Sequence, residues 1–212
     1  MGKLFDYEHP FLRLLSKISD LFVLNLMTLV LCLPIVTIGA SITAAHYTAL
    51  KLHRGENYVM SNFWKSFKEN FKQSTIIWII FALFFVVEYL AFITLSNGTS
   101  ETDLTMQGVI VATGVFGVCF MLWVFPLQSK FVNKIPKTIY TSFIMTFKHI
   151  IRTVLLLALF VLPFLLPAEG FPVILLFGFS VPIYLSAMIY NKPFKKMEEI
   201  VLASFGGENG NE

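Results

Sequence analysis

The chain has 212 residues, 56% of them hydrophobic and 14% charged, with a formal net charge of +3. Soluble domains are about a quarter charged, so a chain this poor in charge could not cover a globular surface, and the composition selects a membrane domain instead. The small basic excess does not point to nucleic acid, because Lys and Arg fall in short stretches between apolar blocks, where the cytoplasmic loops of membrane proteins concentrate them.

The first apolar block, residues 21–50, is too long for one crossing and is broken at Pro34 and Gly39. Proline disfavours helix in the residue before it, and glycine admits backbone angles closed to other residues. The predicted element is an N-terminal broken helix or hairpin over about 11–53, with Pro34 and Gly39 as the candidate structural break. Its helices cover 11–33 and 41–53, joined by 34–40. The rival reading is a single crossing with the N-terminus outside.

Residues 60–73 follow as a predicted amphipathic helix in the membrane interface. Phe63, Phe67 and Phe71 recur every four residues with Trp64 beside them, while Lys65, Lys68 and Lys72 lie elsewhere around the helix. Two readings are open: an anchor leading into the next span, or a docking surface for a partner made of these seven residues.

Four further blocks approach the length of about 20 apolar residues that a spanning helix needs. They cover about 74–95, 108–127, 145–166 and 172–190. The expected fold is therefore all-α: a polytopic helical membrane bundle with four clear transmembrane helices, the N-terminal hairpin and one interfacial helix. Residues 1–203 form one domain, and 204–212 are expected to be a disordered tail.

Charge parity orients these blocks. Residues 96–107 contain no Lys or Arg and carry Glu101 and Asp103, and the turn at 167–170 has no Lys or Arg either. Between 127 and 153 stand Lys130, Lys134, Lys137, Lys148 and Arg152, and the C-terminal stretch has Lys192, Lys195 and Lys196. The positive-inside rule then places the C-terminus and the basic residues 51–72 in the cytoplasm. Lys3, Arg13 and Lys17 draw the N-terminus there too, which favours the hairpin over the single crossing.

Two polar residues inside apolar blocks are candidates for function. Glu88 lies within a span, where an ionisable group is expensive, and His46 follows the small-residue run 39–45. Packing competes with function at both. Small residues at 39–45 and at Gly108, Ala112, Gly114 and Gly117 suit close helix approach. Cys32 and Cys119 sit in apolar runs and predict no disulfide. No nucleophile motif, phosphate-binding glycine loop, metal-ligand spacing or pair of catalytic carboxylates is present. The expectation is a protein that is not an enzyme, with no cofactor and no metal.

The run 31–41, Leu-Cys-Leu-Pro-Ile-Val-Thr-Ile-Gly-Ala-Ser, resembles the signature of the YesL family of small bacterial membrane proteins, a domain of unknown function. Residues 51–56 and 63–73 are similar to its second block. The resemblance implies a multi-pass protein of the bacterial inner membrane, in a family whose members tend to be encoded beside carbohydrate ABC importers and two-component regulators. It implies no catalytic residues. The resulting expectation is a non-catalytic accessory protein in the lipid bilayer, bound to ABC permease subunits or a sensor kinase. The alternative is a stand-alone small transporter or channel for a small solute. Oligomeric state stays open.

Overall fold

A computed structural model describes residues 10–96, 101–131, 133–165 and 177–206, and all of its regular structure there is helical, with no strand. Helix α1 covers Pro10–Cys32 and stops just before Pro34, where the proline ring disfavours continuation. A 3-10 turn, Ile35–Thr37, reverses the chain. The Thr37 hydroxyl lies 2.5 Å from the Leu31 carbonyl and 2.8 Å from that of Pro34, so its one O–H serves the carbonyls that the break leaves open. Helix α2, Ile38–His53, then runs back along α1, and Ser41 donates to the Thr28 carbonyl at 3.0 Å. It ends at a turn where Gly55 has φ 89°, the left-handed geometry that glycine adopts without steric cost.

Helix α3 is Val59–Ser96, 38 residues without a break. Here the structure differs from the sequence reading, which separates an interfacial helix at 60–73 from a span at 74–95. The change from charged to apolar side chains at Gln73 and Ser74 alters the surroundings the helix prefers but brings no proline or glycine to end it. At 1.5 Å per residue α3 is about 57 Å long, nearly twice the ~30 Å hydrocarbon thickness. Its basic part therefore continues in line with the apolar part.

Helix α4, Glu101–Lys130, contains Pro126. Proline cannot donate to the carbonyl four residues back, here that of Leu122, and the Tyr190 hydroxyl donates to that carbonyl instead. Helices α5 (Ile135–Lys148) and α6 (Ile150–Val161) meet at His149 with a bend of 97°. The straight span expected over 145–166 is thus corrected to a broken element, continued by a 3-10 turn, Leu162–Leu165. Thr153 holds the break together. Its hydroxyl lies 3.1 Å from the Thr146 carbonyl and 3.2 Å from that of His149, and it accepts the Trp123 indole N–H at 2.9 Å.

Helix α7 covers Ser180–Gly206. The span expected at 172–190 falls partly on residues 166–176, outside the described residues. What is described runs from α1 across α2 to the end of α4. Asn25 of α1 accepts the backbone N–H groups of Phe179 and Ser180 at 3.1 and 3.2 Å, Tyr190 reaches α4, and Glu198 pairs with Lys130 at 3.0 Å. Of the expected tail, 204–206 complete α7, and 207–212 lie outside the described residues.

Among the described residues three helices are long and apolar enough to cross a membrane: α1, α3 and α4, or four if the bent α5–α6 pair is one broken span. At the centre lies α2. Gly39, Ala40, Ser41, Thr43, Ala44, Ala45, Thr48 and Ala49 are all buried, and the helix packs against α1, α3, α4 and α7. Small side chains make this possible, because they let neighbouring backbones approach closely. The main core gathers Leu24, Phe63, Trp123, Leu156, Tyr190 and Phe194 around it. A second cluster, Ile77, Phe81, Val124 and Phe125, joins α3 to α4.

Candidate docking surface

The basic half of α3 shows two distinct faces. Val59, Phe63, Ser66, Phe67 and Ser74 turn inward, and Phe63 is 0% and Phe67 9% exposed. These two aromatics are therefore core residues, and the candidate docking set loses them. Trp64 remains 43% and Phe71 39% exposed, and Lys65, Lys68 and Lys72 face outward with them. The rings connect along the helix: Phe63 stacks on Phe67 at 6.3 Å, Trp64 meets Phe67 edge-on at 5.7 Å, and Phe67 meets Phe71 at 5.5 Å. The outer face thus carries two aromatics beside three lysines, on a helix pinned from behind by its own core residues.

The faces predict different responses. Trp64→Ala with Phe71→Ala should change stability by under about 1 kcal/mol, since neither side chain fills the core. Phe63→Leu should cost about 1–2 kcal/mol through imperfect refilling of its site. Thermal unfolding of the purified protein in a mild detergent checks both. Equal losses would mean that the two faces are not distinct.

The other sequence candidates are placed as follows. Pro34 lies in the exposed turn between α1 and α2, whereas Gly39 is buried where α2 meets α3 near Ser74 and Trp78. His46 is buried in the main core, its ring 5.8 Å from that of Tyr190 and 6.3 Å from that of Phe160. Glu88 bridges α3 and α4: the Thr113 hydroxyl donates to its Oε1 at 2.9 Å, while its Oε2 is buried without a hydrogen-bond partner among the described residues. Neither residue belongs to a cluster of His, Cys, Asp or Glu able to hold a metal ion, among the described residues. The structure does not bring the four candidate groups together: docking face, break, His46 and Glu88 occupy separate places.

Sequence reasoning missed an amide network that locks the basic half of α3 to α4 and α5. Gln128 donates to Gln73 at 2.5 Å and to Asn70 at 3.4 Å, Thr138 donates to Gln128 at 3.2 Å, and Gln73 donates to the Asn133 carbonyl at 2.8 Å. Asn25, which binds the start of α7, was missed as well. The available signal was the same in each case: an uncharged polar side chain within or at the edge of an apolar helix needs a partner.

These elements give the comparison with known proteins its meaning. Residues 21–92 match the model of a family described as DUF624, a protein of unknown function. The DUF624 match covers about a third of the chain. It begins in α1, takes in the break and all of α2, and ends near the end of α3. It therefore coincides with the hairpin, the central helix and the candidate docking face. No curated protein and no solved structure matches the chain.

Proposed function

We propose that this chain is a YesL-like, non-catalytic accessory protein of the bacterial inner membrane, with both termini in the cytoplasm. On this reading it docks through the exposed face of α3 onto a permease subunit of a carbohydrate ABC importer, or onto the sensor kinase that regulates one. The observation that supports it is the pairing of Trp64 and Phe71 with Lys65, Lys68 and Lys72 on one outward face, backed by Phe63 and Phe67 in the core. Aromatic anchors next to positive charge suit an acidic, partly apolar partner surface, where a few such residues supply most of the affinity. The class of partner comes from the family resemblance, and DUF624 itself has no stated activity.

The test is affinity purification in mild detergent from cells growing on the relevant glycan. Permease or kinase subunits should co-purify. The variant Trp64→Ala, Lys65→Gln, Lys68→Gln, Lys72→Gln should lower their recovery about tenfold, the loss of roughly 1.4 kcal/mol expected from one weakened anchor cluster, without lowering the amount of folded protein. Equal recovery with the variant would rule out this face.

Glu88 favours a second reading, a small stand-alone transporter or channel, because a carboxylate within a span is a natural ion or solute contact. In liposomes that reading requires solute flux altered by Glu88→Gln. The accessory reading requires no flux and an unaltered Glu88→Gln co-purification.

A further inference from the structure

Beside the end of α4, a small cavity of about 130 Å³ is lined by Tyr47, Leu50, Lys51, Arg54, Lys130 and Glu198. Three cations reach it from three places: Lys51 from α2, Arg54 from the turn that follows, and Lys130 from the last residue of α4. Two carboxylates answer them, Glu198 from the cavity wall and Glu56 through its pair with Lys51. Glu56 holds Lys51 at 2.8 and 2.9 Å, and Glu198 holds Lys130 at 3.0 Å, each with a side chain 44% exposed. Arg54 has no carboxylate within 4.0 Å among the described residues. The site therefore holds three positive charges against two half-solvated negative ones, and its guanidinium has no carboxylate partner among the described residues.

The cations are held in place. The Lys130 side chain is only 9% exposed, and its ammonium lies 5.6 and 5.3 Å from the rings of Phe131 and Phe194. The Lys51 ammonium lies 5.8 Å from the Tyr47 ring. These aromatic faces fix the ammonium groups without neutralising them. An ammonium has three donors and a guanidinium five, so each lysine keeps at least one donor after meeting its glutamate, and Arg54 keeps its fork for two oxygens of one anion. A phosphate group has the charge and the several acceptor oxygens this arrangement calls for. The cavity also lies where the apolar helix α4 ends, the level at which membrane proteins bind lipid head groups in basic pockets.

We propose that this cavity binds the phosphate group of an anion, carried by a phospholipid head or free in solution. The proposal does not depend on the docking role of α3. The ligand would join α2, α4 and α7 by engaging Arg54 together with Lys51 and Lys130, with Glu198 competing for Lys130.

The test uses the full chain in a neutral detergent, with bound lipid read by native mass spectrometry and stability by thermal unfolding. Phosphatidylglycerol is compared with diacylglycerol, which has the same tails and no phosphate. Inorganic phosphate is compared with chloride at equal ionic strength. Wild type should retain phosphatidylglycerol about tenfold more strongly than diacylglycerol, and Arg54→Gln, at an exposed position, should lose about that factor with its one bidentate contact. Glu198→Gln should retain phosphatidylglycerol at least as well as wild type, and Lys137→Gln, at an exposed position of α5, should behave as wild type. Stabilisation by phosphatidylglycerol alone identifies a lipid head group as the source, and stabilisation by inorganic phosphate as well identifies a free anion. Response to neither, or unchanged retention by Arg54→Gln, overturns the proposal.

Discussion

Replacing Gly39 with alanine is expected to cost about 2–3 kcal/mol, and replacing it with leucine to leave no folded protein. A Cβ at this position would lie 2.6 Å from Cβ of Trp78 and would also meet the carbonyl oxygen of Ser74. Both obstacles belong to the trunk of α3, and neither can rotate away as a flexible side-chain end would. The helices would have to separate. Separation would also stretch the contact between the hydroxyls of Thr43 and Ser74, which lie 2.9 Å apart one turn along the same interface. Gly108 and Gly114 are the controls. Nothing stands within 4 Å of a Cβ at either, so alanine there should be neutral or slightly stabilising, because it forms helix more readily than glycine. Thermal unfolding in detergent, together with the yield of monodisperse protein, reads all of these variants. If Gly39→Ala unfolds within a degree or two of wild type, the α2–α3 interface is not packed as described.

The same glycine shows what could be read from the sequence. Its place after Pro34 announced a break, and the charge pattern favoured a hairpin. That α2 would become the centre of the bundle could not be read, because small residues permit close approach without naming the neighbour. The aromatic series in α3 is a sharper case. Phe63, Phe67 and Phe71 share a spacing of four, and each such step turns a helical position by about 40°. The series therefore winds off the core face. Exposure follows it, from 0% at Phe63 through 9% at Phe67 to 39% at Phe71. Periodicity found the stripe, but where the stripe left the core depended on α2 and α4. The sequence also gave no warning of the bend at His149, since neither proline nor glycine stands there. That break is stabilised from outside, by a tryptophan twenty-six positions earlier in the chain.

That tryptophan is the second large effect. Trp123→Ala is expected to cost about 3–5 kcal/mol, the usual range for emptying a large buried aromatic site. Its ring is fully buried, stacks with His149 at 5.7 Å and meets Tyr190 edge-on at 5.3 Å. It thus touches the α5–α6 break and the middle of α7 at once. Its indole N–H donates to Thr153, the residue that also serves the carbonyls at the break. Two milder variants separate packing from hydrogen bonding. Trp123→Phe keeps most of the ring but leaves Thr153 without the indole donor, and should cost about 1–2 kcal/mol. Thr153→Val removes the acceptor and strips the break of its hydroxyl, and should cost a similar amount. Combined, the two should cost less than their sum, since the first change has already removed the bond that the second would break. Strict additivity in that cycle would mean the indole does not act through Thr153. A Trp123→Ala protein as stable as wild type would mean that α6 and α7 are held against α4 by other contacts, with the aromatic centre of the bundle merely filling space.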